Sequence, residues 1–170
     1  MGSAILSRHY KLDTRVVVGE AAYCLPKVGV VAFSQPNNAV RRAGEIGAFH
    51  CWVEANGWLL DFSSIAFPLI AKAAGFGTCP FLMFQKPTHK AAAAIPEFNA
   101  ESEFYISSHG INQSEVTAPL TAKQAFIDLV QIAADWYRKP PKPMGGVGLR
   151  DQHGNTKPAF LSSQRILGVW

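Results

Sequence analysis

The hairpin predicted for residues 49–63 constrains the fold more than any other feature of the sequence. The segment is FHCWVEANGWLLDFS, and Asn56 followed by Gly57 is the strongest short-range signal for a two-residue hairpin loop. Because side chains alternate between the two faces of a strand, we expect His50, Trp52 and Glu54 to share one face. The chain is therefore expected to build a sheet around this hairpin.

The same loop predicts which side chains meet across the hairpin. It pairs Ala55 with Trp58 and, three positions further from the turn, Trp52 with Asp61. His50 and Asp61 are then diagonal neighbours on one face, about 7 Å apart or less at Cβ. An imidazole held by a carboxylate is the orienting part of a nucleophile–base–acid triad. The alternative is a core histidine hydrogen-bonded to a carboxylate.

The composition predicts one globular domain over residues 1–170. Hydrophobic residues make up 48% of the chain and charged residues 16%, which excludes a disordered chain. The 16 Lys and Arg against 12 Asp and Glu give a net charge of +4 without a run of like charges, so we expect no nucleic acid as a partner. No apolar run is long enough to span a membrane, so no membrane partner is expected. The oligomeric state is left open.

Three cysteines without regular spacing favour free thiols over a disulfide framework. No CxxC or HxxxH pattern occurs, so a metal site is not expected. The N-terminus lacks a basic region followed by an apolar run, which argues against a signal peptide. These observations predict a cytoplasmic protein.

The segments before the hairpin predict a helix followed by strands. Residues 3–10 have the pattern of the last two turns of a helix, and residues 15–25 and 28–33 are β-branched and apolar. Gly19 inside the first strand indicates a bulge or a close backbone approach. Residues 34–47 are rich in Asn, Gly and Pro and predict an exposed loop that borders a cleft.

The segments after the hairpin predict a clear helix and an apolar tail. Residues 121–138 carry an apolar stripe at helical spacing, with Thr121 and Gln124 as a capping box. Residues 65–76 are apolar, but periodicity does not decide between a short helix and an irregular segment. The apolar end, residues 166–170, is expected to add an edge strand.

The order of these motifs resembles the core of the transglutaminase-like branch of the papain-like cysteine-protease superfamily. Residues 15–19 (RVVVG) match its first strand, residues 50–54 (HCWVE) its histidine strand and residues 57–61 (GWLLD) its aspartate strand. The resemblance covers residues 4–63, and an uncharacterised bacterial family in this superfamily is similar in overall layout. It implies an α+β, papain-like fold, with an N-terminal helix packed on a central antiparallel β-sheet and a C-terminal helix.

The resemblance also implies a function. The protein would be a thiol hydrolase or acyltransferase, a cysteine peptidase, amidase or acyltransferase in class, that acts on an amide or peptide-type bond. In its Cys-His-Asp triad, His50 would be the general base and Asp61 its orienter. No metal or organic cofactor is implied, and the expected partner is a peptide or a small amide-containing substrate.

The nucleophile is where the sequence departs from that superfamily. Its cysteine opens the helix before the first strand, where the helix dipole lowers the thiol pKa, and the matching position falls before Met1. Within the chain, Cys24 near the end of the first strand is the main candidate. Cys51 is predicted to point away from His50, and Cys79 lies in a turn beyond the triad strands.

Three further side chains have a functional interpretation beside a structural one. Trp52 and Glu54 share the predicted face of His50 and are candidates for substrate binding, Glu54 by orienting an amine. Their alternatives are packing for Trp52 and a salt bridge at the strand edge for Glu54. Ser3, near the start of the predicted helix, is a further candidate nucleophile.

The alternative for the whole protein is a catalytically inactive domain that binds a peptide or a partner.

Overall fold

A curled antiparallel sheet, shaped like a half-barrel, carries the candidate residues. The computed structural model describes residues 1–33, 49–94, 98–108, 113–137, 147–150, 153–159 and 166–170. Within this part, the sheet order is β2-β1-β3-β4-β5, with β6 also paired to β1. The strands are β1 (Thr14–Leu25), β2 (Gly29–Phe33), β3 (His50–Ala55), β4 (Trp58–Asp61), β5 (Phe84–Pro87) and β6 (Phe104–Ser107).

Helices pack against this sheet. They are α1 (Gly2–Tyr10), α2 (Phe67–Ala73), α3 (Gln113–Thr121) and α4 (Gln124–Trp136). Helices α1 and α3 each contact β1 and α4. A separate hairpin consists of β7 (Val147–Arg150) and β8 (Thr156–Ala159). Among the described residues, no helix has the length and hydrophobicity needed to cross a membrane.

Strand β1 is the long central strand that positions the hairpin. Its first half pairs with β3, and its second half pairs with β2 and β6. Gly19 lies at the point where these partners change, opposite His50. A Cβ at this position would overlap the carbonyl oxygen of Ser107 and lie 2.7 Å from Cη2 of Trp52. The close backbone approach predicted for Gly19 is confirmed.

The predicted hairpin is present with the predicted register. Asn56 has φ of 49° and Gly57 has φ of 77°, which are the left-handed values that a two-residue type I′ loop requires. Ala55 pairs with Trp58. The turn therefore directs His50 and Asp61 to one face of the sheet, which is the geometry that the sequence predicts.

An aromatic core lies on that face. The alternate residues of β1 that enter it include Tyr23 and Leu25, which are 0% and 1% exposed. They pack with Phe67 of α2 and with Phe84 of β5, both 0% exposed. Phe67 follows closely after Asp61 in sequence. Helix α2 therefore packs the aromatic core next to the end of the hairpin that carries His50 and Asp61.

The papain-like arrangement implied by the resemblance is wrong. The chain is α+β, and it has an N-terminal helix and an antiparallel sheet, but the sheet is a curled half-barrel in which β1 pairs with three strands. The physical reason is that β1 is long enough to exchange partners at Gly19, so the sheet curls around the aromatic core. This pairing joins segments far apart in sequence, and the local motifs do not encode it.

The C-terminal helix differs from the prediction at its start. Helix α3 ends at Thr121, and α4 begins at Gln124 with Lys123 as its N-cap and no side-chain cap. The hydroxyl of Thr121 donates instead to the carbonyl of Thr117, 3.1 Å away, within α3. The predicted capping box is therefore wrong, because Thr121 belongs to the end of the preceding helix.

The apolar tail lies beside the segment before β5 and bonds to it through its backbone, but within the described residues it forms an isolated bridge and not the predicted edge strand. Val169 forms a parallel bridge with Met83, and the indole N–H of Trp170 donates to the carbonyl of Leu82 at 3.2 Å. The segment predicted as apolar over residues 65–76 contains a short 3₁₀ turn and α2. The loop predicted for residues 34–47 lies outside the described residues.

Candidate active site

The two candidate residues of the hairpin meet in a buried hydrogen bond, and we call them the His–Asp pair. Nε2 of His50 lies 2.7 Å from Oδ2 of Asp61. His50 is 7% exposed and Asp61 is 0% exposed. A carboxylate on one ring nitrogen makes that nitrogen the N–H donor and leaves the other, Nδ1, as the acceptor. The structure thus brings together the two residues that the sequence singles out for base and orienter.

Asp61 is held by the turn that follows β4. The backbone N–H of Ser63 donates to Oδ1 of Asp61 at 2.9 Å, and the Ser63 hydroxyl donates to the same oxygen at 2.5 Å. The buried hydroxyl of Ser64 donates to the Asp61 carbonyl at 2.6 Å and accepts from the backbone N–H of Phe84 at 2.7 Å. The carboxylate and the backbone carbonyl of Asp61 are therefore both fixed by hydrogen bonds.

The environment keeps Asp61 ionised despite its burial. Burial alone would raise the pKa of Asp61. The hydrogen bond and charge of His50, followed by the hydrogen bond from Ser63, outweigh burial and lower the pKa of Asp61 below its ordinary value. An ionised carboxylate is what an orienting group needs in order to stabilise an imidazolium.

Aromatic rings enclose the imidazole of His50. Phe33 stacks on it, with ring centroids 4.4 Å apart and planes inclined by 24°. Tyr23 meets it edge to face at 5.7 Å, and Phe67 lies at 6.2 Å. These rings restrict the rotamers of His50 and exclude water from most of its surface. Nδ1 has no hydrogen-bond partner among the described residues.

Ser63 is near the imidazole but is not arranged as a nucleophile. Its hydroxyl oxygen lies 3.3 Å from Nε2 of His50, which is the nitrogen already bonded to Asp61. In a triad, the nucleophile and the acid occupy different ring nitrogens, because the base must accept on one while it donates on the other. Ser63 therefore holds the carboxylate of Asp61 in place through its hydrogen bonds.

Cys24 is not brought to His50. It lies on β1 between Tyr23 and Leu25, whose side chains enter the core, so alternation directs it to the opposite face. Its pKa is raised by burial, followed by the charges of Glu103 and Glu101. A thiol with a raised pKa is mostly protonated near neutral pH and is a poor nucleophile.

The other two cysteines are also separate from the imidazole. Cys51 follows His50 on β3 and points to the opposite face, and Cys79 is buried in the aromatic core. Burial is the largest cause of a raised pKa in both, with the charge of Asp61 adding to it at Cys51. Within the described part of the chain, no hydrogen bond joins His50 to any cysteine.

The start of α1 contacts the ring of Phe62, and Ser3 itself does not contact the His–Asp pair. The Ser3 hydroxyl is 2.8 Å from the Thr14 hydroxyl, at the far end of β1 from Cys24. The backbone of Gly2 lies directly against the ring of Phe62, the residue between Asp61 and Ser63. The N-terminal end of α1 is thus adjacent to the turn that holds Asp61.

Trp52 and Glu54 have the structural contacts that the sequence gives as their alternatives. Trp52 is 2% exposed and belongs to the aromatic core, and its indole N–H donates to Oε1 of Glu54 at 3.0 Å. The guanidinium of Arg15 donates to Oε2 of Glu54 at 2.7 Å. We call Arg15 and Glu54 the Arg–Glu pair. Its hydrogen bonds use Oε2 of Glu54, and the indole of Trp52 uses Oε1, so both carboxylate oxygens are occupied.

The sequence did not single out Tyr23, Ser64 or Phe33, which complete the site. Tyr23 and Phe33 reach His50 from strands distant in sequence, so no local spacing links them to it. Ser64 offers a weak signal, since a serine directly after a strand often bonds to backbone.

As for metals, the described residues contain no group of three or more His, Cys, Asp and Glu side chains that could hold an ion.

Comparisons with known proteins add a family and a solved structure. The chain is similar to a crystal structure of a genomics target, with 32% identity and a TM-score of 0.79, over 99% of this chain and 80% of that one. A search of curated proteins found no match. A family model described as "Protein of unknown function (DUF2026)" matches residues 1–170. The chain therefore belongs to the DUF2026 family.

Proposed function

We propose that the His–Asp pair is the base and orienter of a thiol hydrolase or acyltransferase that acts on an amide or peptide-type bond. The observation that carries the proposal is the buried 2.7 Å contact between Nε2 of His50 and the ionised carboxylate of Asp61. This contact leaves Nδ1 of His50 as a proton acceptor. The motifs of residues 50–54 and 57–61, which resemble transglutaminase-like enzymes, support the same roles.

In the proposed reaction, a thiol gives its proton to Nδ1 of His50 while its sulfur bonds to the substrate carbonyl carbon. Asp61 stabilises the imidazolium that forms. The imidazolium then gives the proton to the leaving amine as the carbon–nitrogen bond breaks. Water or an acyl acceptor next displaces the thiol, with His50 taking and returning a proton again. No step requires a metal or an organic cofactor.

The thiol must approach Nδ1 of His50, and the contacts of Cys24, Cys51 and Cys79 do not support any of them in this role. The N-terminal end of α1, which lies against Phe62, supports an approach from that side, because a helix N-terminus favours a thiolate. A reducing, cytoplasmic location is part of the proposal, and the three free cysteines agree with it.

The proposal predicts that the chain activates a thiol added from solution. The probe is acyl transfer from p-nitrophenyl acetate to N-acetylcysteamine, followed by release of p-nitrophenolate. General-base catalysis contributes roughly 100-fold or more to such steps, so we expect His50→Ala to lower the protein-dependent rate by at least about tenfold. Asp61→Asn should also lower it, because the amide no longer selects the correct imidazole tautomer.

A matched control is His89→Ala. His89 is an exposed histidine in a short 3₁₀ turn after β5, and exposed imidazoles react with activated esters on their own. We expect this variant to lose only the small contribution of one unpositioned imidazole and to keep most of the wild-type rate. A His50→Ala rate equal to that of His89→Ala, in the presence of the thiol, would overturn the proposed function.

A second candidate function is a catalytically inactive domain that binds a peptide or a partner. The observation that favours it is the raised pKa of all three thiols, together with their separation from His50. In that case the His–Asp pair is a structural element of the core. The thiol-rescue assay separates the two functions, since a purely structural pair predicts no His50-dependent acyl transfer at any thiol concentration.

A further inference from the structure

Tyr23 has a buried hydroxyl beside the His–Asp pair that the proposed reaction does not use. The residue is 0% exposed, and its hydroxyl has no hydrogen-bond partner within the described part of the chain. Leaving a buried polar group unpaired is unfavourable. Such a group in a well-packed aromatic core therefore calls for an explanation.

The carboxylate of Asp61 is the acceptor within reach. Burial raises the pKa of Tyr23, and the charge of the nearby Asp61 carboxylate and its interaction with the Tyr23 hydroxyl raise it further, although the hydroxyl forms no complete hydrogen bond among the described residues. A carboxylate offers about four acceptor positions. His50 uses one on Oδ2, and the N–H and hydroxyl of Ser63 use two on Oδ1. One position on Oδ2 is left.

We propose that Tyr23 is a positioning residue whose hydroxyl is the fourth hydrogen-bond donor to Asp61. The Tyr23 hydroxyl already favours the ionised carboxylate in the free protein, where it contributes to the lowered pKa of Asp61, and the contact tightens as the site takes up its acyl substrate, as catalytic hydrogen bonds commonly do. It keeps the carboxylate ionised and fixed while the imidazole moves a proton. Its role in catalysis rests on the proposed function, but the contact with Asp61 is testable without any activity.

The surroundings of Asp61 make this test selective. Among the described residues, the titratable groups that face or approach it are His50 and Cys51 on β3 and Tyr23 on β1. The residues of β5 and α2 that lie next to Asp61 are Phe84 and Phe67, and their side chains carry no titratable group. A change at the Tyr23 hydroxyl therefore reaches the carboxylate without passing through another charged group.

The experiment is a carboxyl ¹³C NMR titration of Asp61 in the full chain and in Tyr23→Phe. Phenylalanine keeps the ring and its packing and removes only the donor. We expect the pKa of Asp61 to rise by about half a unit or more. In the thiol-rescue assay, the fall of activity at acidic pH should move to higher pH in parallel. A control is Tyr105→Phe on β6, a half-buried tyrosine that should change neither.

The proposal would be overturned if the Asp61 titration in Tyr23→Phe coincided with the wild-type curve. A gain in stability from removal of the unpaired hydroxyl would accompany that result. If Tyr23→Phe does not fold, 3-fluorotyrosine at position 23 replaces it. Fluorination makes the phenol a stronger donor, so the pKa of Asp61 should fall, and an unchanged titration would again count against the proposal. A shifted titration without thiol-dependent activity would retain the contact and reject only the proposed function.

Discussion

The two ends of the central hairpin carry hydrogen-bonded pairs with equal nitrogen–oxygen distances but opposite surroundings. The His–Asp pair and the Arg–Glu pair each have a closest nitrogen–oxygen distance of 2.7 Å. The side chains of His50 and Asp61 are 7% and 0% exposed, whereas those of Arg15 and Glu54 are 74% and 18% exposed. His50 and Glu54 share one face of β3, on either side of Trp52. Distance alone therefore does not distinguish a buried pair from a surface one.

The difference arises from what the curled sheet places over each end. At the His–Asp end, rings of Phe33, Tyr23 and Phe67 cover the pair and remove it from water. At the other end, Arg15 extends into solvent. Loss of one partner is strongly unfavourable in a buried pair, because the other is left uncompensated. In an exposed pair, water replaces the missing partner. Burial thus makes the loss of a partner costly in one pair and leaves the other as a surface contact.

The largest expected effect is that of Asp61→Ala. The substitution leaves the buried Nε2 of His50 without its acceptor, and it also removes the acceptor of both Ser63 donors. Breaking a buried pair in this way lowers the free energy of unfolding by about 3–5 kcal/mol. Urea denaturation followed by tryptophan fluorescence measures the loss.

The control for this substitution is Asp13→Ala. Asp13 is an exposed carboxylate, and substitutions at such positions usually change stability by less than about 0.5 kcal/mol. If Asp61→Ala and Asp13→Ala had the same small effect, the distinction between the two ends of the hairpin would be lost.

The geometry of the His–Asp pair was predictable because it depends on local rules. The loop of Asn56 and Gly57 determines the register, and strand alternation then puts His50 and Asp61 on one face. The burial of the pair was not predictable in the same way. It depends on Phe33 and Tyr23, which approach from other strands, and on a sheet order that no spacing in the sequence encodes.

The errors have the same origin. The papain-like arrangement was inferred from motifs within residues 4–63, but β1 also pairs with β6, which lies beyond that range. The capping box predicted at Thr121 was wrong because Thr121 is the last residue of α3 and not the N-cap of α4. Val116 is the described buried residue of α3, so this helix has too little apolar periodicity for its sequence to predict it.

Ser64→Ala is expected to have the next largest effect. The Ser64 hydroxyl accepts from the backbone N–H of Phe84 and donates to the Asp61 carbonyl in a fully buried position. Without it, the N–H of Phe84 is buried and unpaired, which lowers the free energy of unfolding by about 1–3 kcal/mol. Hydrogen exchange at Phe84 should increase together with the loss of stability.

The comparison for Ser64 is Thr88→Val. The Thr88 hydroxyl donates to the Gly57 carbonyl at an exposed site, and that carbonyl also accepts from the backbone N–H of Thr88. Its loss leaves no buried group unpaired, so the expected change is less than about 0.5 kcal/mol. Equal losses in the two variants would contradict the idea that burial decides the effect.

A smaller effect is the acid dependence of stability that Asp61 contributes. Its pKa in the folded chain is lower than the value of about 3.9 expected in the unfolded chain. The stabilisation is therefore fully present above that value and is lost as the pH falls through the folded pKa, by about 1.4 kcal/mol for each unit between the two. In denaturant titrations, the stability difference between wild type and Asp61→Asn should narrow below about pH 4. Parallel curves down to pH 2 would contradict it.

The smallest effect is expected at the exposed end, and Arg15→Met measures it most cleanly. Substitution of Glu54 would also leave the indole N–H of Trp52 without its acceptor, whereas methionine at position 15 keeps an apolar stem and removes only the guanidinium. The expected loss is less than about 1 kcal/mol in dilute buffer. It should disappear in 1 M NaCl, where the screening length falls to about 3 Å. A loss above about 2 kcal/mol that persists in salt would mean that the Arg–Glu pair is as important to the hairpin as the buried pair, and burial would no longer explain why the two ends differ.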